Sequence, residues 1–576
     1  MADPVGVMTG LAALDWGVLL VTIAAIVGYG AWRSRGVRDV DSYVRGESLR
    51  WPTIGLGIMA TQASAITFLS LPGQAYADGM RFVQFYFGLP LAMIVISAVF
   101  VPVYHRLKVR TAYEYLEHRF DVRVRMLGAG LFLIGRGLAA GITIYAPSII
   151  LSQILGWPLH ETIWGMGALV VFYVLLGGSR AVSQTQRQQM IVIMVGLVIA
   201  AAVVISRLPA QVSLGGAVRV AGALGRINPV SFELDWSSRY NFWSGITGGF
   251  FLALSYFGTD QSQVQRYLSG RSIAESRLGL LFNGLFKVPM QFLILFIGVM
   301  VFVFYLFTRP PMHFDAPTLA RVEAARPAEV HALEARYDRA FEAERTAALG
   351  YLAAQGRTDE PAARATLTAA AGQIAEVRRD AKALIKRTLP DAETRDTDFV
   401  FLTFILSHLP VGLVGLLLAV ILCAAMSSVA GELVALGSTT TVDFYLRIRQ
   451  ALGRPPGPRT RDLRVSQLAM VAWGVVVLGF ASGASLFANL IEAVNILGSI
   501  FYGTILGLFV VALFLRRITA TPVLIGAAIA EALVVTLFFS SGLGFLWFNV
   551  IGCATVVGIS ALLQAVLPAR AAAASG

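Results

Sequence analysis

The feature that most constrains this chain is the recurrence of apolar stretches about twenty residues long, the length of helix that crosses a ~30 Å hydrocarbon layer. About 13 of them read off the sequence: 13–32, 52–75, 83–104, 126–152, 159–177, 189–206, 241–259, 279–307, 411–434, 466–483, 487–515, 521–540 and 544–567. Within a bilayer every peptide group must find its hydrogen bond inside the protein, so such stretches become helices. Hydrophobic residues make up 56% of the 576 and charged residues 14%, too little polar surface for a water-soluble body of this size. The expectation is an all-α polytopic membrane protein whose solvent is the lipid bilayer.

A net charge of +12 invites a nucleic-acid reading, which the placement of the charges removes. No basic residue precedes the first span, whereas Arg33, Arg35 and Arg38 follow it, the flank pattern of an uncleaved anchor with its N-terminus outside. The Arg-rich connections 33–51, 105–125, 178–188, 266–277, 446–464 and Arg516-Arg517 then share one side, and the positive-inside rule makes it cytoplasmic, with the C-terminus. Cys423 and Cys553 lie singly in apolar spans, and the six histidines are scattered without ligand spacing. Neither a metal centre nor an intramembrane enzyme is expected.

Two spans are unusual. Residues 52–75 carry the small, polar run Ala60-Thr61-Gln62-Ala63-Ser64-Ala65-Ile66-Thr67 at mid-depth, and 411–434 carries Ala424, Ser427 and Ser428. Small residues let a helix unwind, and irregular backbone at membrane depth is tolerated where it lines a cavity or packs inside protein. In membrane carriers such breaks mark ion and solute sites. Four ionisable residues fall in or near spans, Arg136, Asp260, Glu432 and Glu492, and intramembrane charge is functional or paired. Residues 309–397 differ from the rest, being rich in Ala, Arg and Glu. Amphipathic helices are expected over 317–354 and 361–388, with Gly356, Thr358, Asp359 and Pro361 supplying the turn between them. This hairpin falls outside the cytoplasm by the topology count, as a solvated, salt-bridged insertion or as a lid or partner-docking element.

Four ordered motifs resemble the sodium:solute symporter family: DSYVRGESLRWPTIG, then ATQASAITFLSLPGQAY, then DQSQVQRYLSGRS from Asp260, then AAMSSVAGELVALGSTTTVDFY from Ala424. The resemblance implies a LeuT-type fold of two inverted five-helix repeats, here 52–206 and 241–308 with 398–515. Residues 1–51 would precede it, 309–397 interrupt it and 516–576 add accessory spans. The first helix of each repeat is broken in this fold. In 241–259 the glycines Gly245, Gly248, Gly249 and Gly258 make unwinding cheap.

The resemblance further implies sodium-coupled symport of a small solute. Sodium would be held by the carbonyls of Ala60, Ala63 and Ala424 and the hydroxyls of Ser427 and Ser428. A second sodium site, which some members build from an aspartate and two more hydroxyls, is not expected, because Gln186, Ala430 and Gly431 stand there. Thr67 and Tyr86 replace the glutamine and glutamate of the sugar branch, and DQSQVQRY is closest to the branch carrying iodide, monocarboxylates and vitamins. A carboxylate-type anion is therefore the expected solute, against Asp260, where that branch typically has Asn. Arg136 either holds the solute carboxylate or pairs with Asp260 or Glu432. Gln84, Tyr86, Tyr256, Gln261 and Asn495 are further pocket candidates by helix position. A solute sensor on the same fold, or a symporter of a neutral sugar or amino acid, are the alternatives.

Overall fold

The computed structural model describes residues 11–33, 49–392, 394–454, 459–483 and 490–566. The DSYVRGES run at 41–48 lies outside them. Among the described residues the regular structure is helical, with one extended bridge between Leu49 and Gly270. Ten described helices are long and apolar enough to cross a membrane, fewer than the thirteen stretches read from sequence. Half-helices on either side of a break are too short to cross alone, and that accounts for part of the difference.

The first part of the chain forms α1 (Ala13–Arg33), then α2 (Trp51–Gln62) and α3 (Ala65–Asp78), which divide the 52–75 stretch. The break falls at Ala63 (φ −79°, ψ 62°) and the extended Ser64. It is followed by α4 over 89–107 with a π turn at Ile96–Phe100, α5 (Val122–Leu155) and α6 (Leu159–Ser206). The 48-residue α6 takes in two expected spans and their connection 178–188 without leaving helical geometry. At 1.5 Å per residue it is about 72 Å long if straight. No proline lies in 178–188 to stop it.

The second broken helix is α7 (Gly249–Gly258), continuing as α8 (Gln261–Leu268). Its break is at Thr259–Asp260, directly after Gly258 and away from the other three glycines. Gly245, Gly248 and Gly249 sit in or beside a π turn (Ser244–Gly248) and serve close packing instead. A Cβ at 245 would clash with the carbonyl of Gln84, and one at 249 with that of Phe85. The freed groups at the real break have fixed partners. Tyr104 donates to the Gly258 carbonyl (2.7 Å), Tyr267 to that of Phe257 (3.0 Å), and Asp260 accepts from the Ser262 N–H (2.8 Å) as an N-cap.

α9 (Ile273–Phe307) leads into the insertion, which contains α10 (Ala316–Ala325), α11 (Pro327–Ala354) and α12 (Glu360–Thr388). The single helix expected over 317–354 is divided because Pro327 drives Arg326 out of helical geometry (φ −142°, ψ 61°). The turn after α11 holds Gly356 at φ +71°, where a glycine is favoured, and Pro361 stands in the first turn of α12. Along α12 the buried residues Leu367, Ala370, Val377, Ala381, Leu384 and Ile385 form the apolar stripe that a surface helix requires. With Met312, Val322, Val330 and Tyr337 several of them form a core separate from that of the bundle.

α13 (Thr397–His408) returns to the bundle and precedes α14 (Leu413–Thr439), α15 (Arg459–Ala481), α16 (Leu490–Phe514), α17 (Ala520–Ser540) and α18 (Leu546–Val566). α14 is continuous through Ala424, Ser427 and Ser428, so the interruption suggested by its small residues does not occur. Those residues instead let α1, α5 and α6 approach a helix that is buried almost throughout.

Candidate functional site

The α2–α3 break faces α14 in the middle of the bundle, and their contact is polar. Ser428 donates to the Thr61 carbonyl (2.8 Å), and Thr67 donates across the break to the Gln62 carbonyl (3.0 Å). Gln186 on α6 bridges the two elements, donating to the Thr61 hydroxyl (3.3 Å) and to the Ser427 carbonyl (3.2 Å). The Ser427 hydroxyl, beside them, is buried without a hydrogen-bond partner. Ala60, Ala63 and Ala424 are fully buried. Ala424, Ser427 and Ser428, spaced i, i+3 and i+4, lie on one face of α14. The result is a knot of oxygens and one orphan hydroxyl, which fits a hard cation.

Next to this knot is a cavity of about 120 Å³. Thr67, Tyr86, Arg136, Tyr256 and Asn495 line it as expected. Gln84 and Gln261 do not. The Gln84 side chain ties a loop to the bundle, donating to the Tyr240 carbonyl (3.1 Å) and accepting from the Ser231 N–H (2.9 Å). Gln261 accepts from the Ala112 N–H (2.9 Å) and donates to the Arg110 carbonyl (3.1 Å). Helix position alone did not distinguish the amides that face the cavity from those that hold backbone.

Arg136 lines the cavity, but its guanidinium is engaged. It binds Asp260 through Nε (3.0 Å) and Nη2, Glu432 through Nη1 (3.1 Å), and Tyr502 through Nη2. Tyr502 in turn donates to Asp260 (2.8 Å) and the Arg136 headgroup stacks 5.1 Å from the Tyr256 ring centre. Of its two sequence roles the structure has the pairing one. Asp260 is likewise consumed, by Arg136, Tyr502 and the cap of α8, and is not among the cavity-lining residues.

The cation that sequence reasoning missed is Lys287 on α9. It is 1% exposed, it lines the cavity, and no hydrogen-bond partner reaches its Nζ, which lies 6.0 Å from the centre of the Tyr86 ring. Its signal was present: one lysine in a 35-residue apolar helix, two residues before Pro289. Intramembrane cations usually pair with an acid or a carbonyl, and among the described residues Lys287 has no hydrogen-bond partner. Arg266 on α8 is also buried. It donates to Gln186, and a Cβ on Gly431 would clash with its Nη2. A guanidinium thus stands beside Gln186 and Gly431. Among the described residues no cluster of His, Cys, Asp and Glu could hold a metal.

Comparison with known proteins agrees with this geometry. The model of the sodium:solute symporter family matches residues 42–325 and 382–530, passing over most of the inserted helices. The human sodium/iodide cotransporter is 34% identical over 301 residues, 51% of this chain and 46% of that protein. Human sodium-coupled monocarboxylate transporter 1 is 35% identical over 268 residues, 46% of this chain and 43% of that protein. The alignments therefore span less than half the length of these curated relatives. The structure of a sodium-coupled sialic acid symporter in a substrate-bound, outward-open state superposes with a TM-score of 0.75 at 21% identity, covering 96% of this chain and 98% of that one. This likeness shows the fold, a LeuT-type bundle with two broken helices. With a family model matching on both sides of the insertion, and a family fold built around the broken α2–α3 pair, this integral membrane protein belongs to the sodium:solute symporter family.

Proposed function

We propose that the protein is a sodium-coupled symporter that imports a small organic anion of carboxylate type by alternating access. The observation that carries the reading is the partnerless buried ammonium of Lys287, in a cavity that shares its wall with the oxygen knot at the α2–α3 break. A desolvated charge without a counterion is costly, and a carboxylate arriving from water relieves it. The monocarboxylate and iodide relatives, whose cargoes are anions, support the same class. In this reading the carbonyls of Ala60, Ala63 and Ala424 and the hydroxyls of Ser427 and Ser428 hold sodium. Gln62, Ser64 and Thr67, on the same broken segment, line the solute cavity. Ion and solute thus order one piece of backbone, and each raises the affinity of the other by the same factor. Repeats 52–206 and 241–308 with 398–515 rock about this point, with the N-terminus outside and the C-terminus cytoplasmic.

Proteoliposomes loaded with potassium should accumulate radiolabelled pyruvate when sodium is supplied outside, and short monocarboxylates should compete. Accumulation that ignores the sodium gradient, or competition by neutral sugars and amino acids alone, would overturn the reading. Ser427→Ala and Ser428→Ala should each raise the sodium concentration for half-maximal uptake. A lost oxygen in a buried site costs about 1–3 kcal/mol, roughly five- to 150-fold. Because Arg266 already supplies a cation beside Gln186 and Gly431, parallel uptake of labelled sodium and labelled pyruvate should give one sodium per solute, with no net current. A value of two would place an additional ion elsewhere.

A further inference from the structure

A second cavity, of about 710 Å³, lies between the insertion and the end of the helical bundle. Its walls come from four parts of the chain: Tyr76 on α3, Arg226 in the connection before α7, Tyr305 on α9, and Tyr337, Arg378 and Lys382 on the inserted helices. Tyr76 follows Thr67 by nine residues, so the two cavities are about 13 Å apart along α3.

The charge of this wall is uneven. Asp396 is saturated, accepting from the Phe314 N–H (2.9 Å) and pairing with Arg378 (2.7 Å) and Lys382 (3.3 Å). Although burial works the other way, Arg378, His313 and Lys382 hold its carboxyl well below the usual range. Glu344, the other acid in the wall, is buried, and burial pushes its carboxyl up to about 7. It therefore offsets the neighbouring cations only in part. Among the described residues Arg226 has no carboxylate bonded to it. It donates to the Ala77 carbonyl and stacks 4.8 Å from the Phe302 ring, its Nε is buried without a partner, and burial lowers its pKa. The buried hydroxyl of Tyr305 is also without a partner. Five cations (Arg226, Arg364, Arg378, Arg379 and Lys382) and two orphan donors thus meet two acids, one neutralised by its own pairs and the other in part by burial. Tyr76, Phe302 and Tyr305 pack edge to face here, at 5.6 and 6.2 Å between ring centres, and give the wall an apolar side.

We propose that this cavity is a second binding site, for an organic carboxylate whose apolar body lies on the Tyr76–Tyr305 aromatic side and whose charge is met by Arg226 and Lys382. The site is independent of sodium, because none of the oxygens at the α2–α3 break contributes to it. It does not require the cargo assigned above to be correct. Its place over α3 suits it to gather organic anions at the insertion end of the bundle.

Equilibrium dialysis of the purified full-length protein with radiolabelled benzoate, in potassium buffer free of sodium, tests it directly. Saturable binding is expected in the parent and should persist in Lys287→Met, and an excess of chloride over gluconate should leave it in place. The double variant Arg226→Gln/Lys382→Gln should weaken it on the order of tenfold or more, as expected for lost charge-assisted contacts. Absence of saturable sodium-free binding in the parent overturns the proposal, whatever the variants do. Unchanged affinity in the folded double variant overturns the assigned residues, and full displacement by chloride overturns an organic ligand. Failure of sodium-driven uptake with benzoate binding intact would count against the transport reading alone.

Discussion

Lys287→Met is expected to remove most monocarboxylate uptake while making the empty protein more stable. A charge-assisted hydrogen bond to a buried carboxylate contributes about 1.5–3 kcal/mol, so the KM should rise roughly ten- to 150-fold. In the absence of solute the same ammonium has no partner and is 1% exposed. Methionine fills a similar volume without a charge to desolvate, and its soft side chain adapts to the wall. The two effects carry opposite signs, and that pairing distinguishes a solute anchor from a structural lysine. Uptake in proteoliposomes and thermal unfolding in detergent, measured on one preparation, settle it. A lower unfolding temperature together with parental uptake would mean that Lys287 holds the bundle and not the anion.

Arg136→Gln should behave in the reverse manner, as a folding defect first and a transport defect only in consequence. The substitution leaves Asp260 and Glu432 buried without their shared cation, which typically costs about 3–5 kcal/mol. A sharp fall in unfolding temperature and in yield is expected. Lowering the charge of the partners as well, in Arg136→Met/Asp260→Asn/Glu432→Gln, should recover much of the stability, since a neutral cluster need not be compensated. A stable Arg136→Gln protein that loses only anion uptake would return to Arg136 the solute-binding role that the sequence left open.

What the sequence made legible was what depends on local composition. Apolar runs fixed the helices, and the polar interruption at Ala60–Thr67 located the α2–α3 break within a residue or two, because unwinding is a property of the strand of chain that unwinds. The small residues of α14 were ambiguous for a physical reason: Ala, Gly and Ser serve close packing as well as they serve a break, and only neighbours decide which. The same ambiguity set the second break after Gly258 and not near Gly245, at Thr259–Asp260, where Tyr104 from a distant helix and Tyr267 from α8 satisfy the carbonyls. Arg136 was correctly singled out, but the choice between its partners depends on contacts more than a hundred residues away. Lys287 stands out locally as one lysine in the apolar helix α9, but that it lines the cavity depends on neighbours distant in sequence. The proline effect at Arg326–Pro327 is local, by contrast, and was available to a closer reading of the chain.

The two broken helices divide the labour of alternating access unequally. At Thr259–Asp260 the exposed peptide groups are bound by Tyr104, Tyr267 and the Asp260 cap, all from within the chain, so that joint is assembled at synthesis and stays assembled. At Ala63–Ser64 the neighbouring carbonyls depend on rotatable hydroxyls, and Ser427 still has an oxygen to give. A pseudo-symmetric trace thus conceals one bend whose groups are all taken and one that keeps an oxygen unspent. In the proposed symport cycle the inward- and outward-facing forms need not be mirror images in energy, because the ion would enter as a removable part of the hinge.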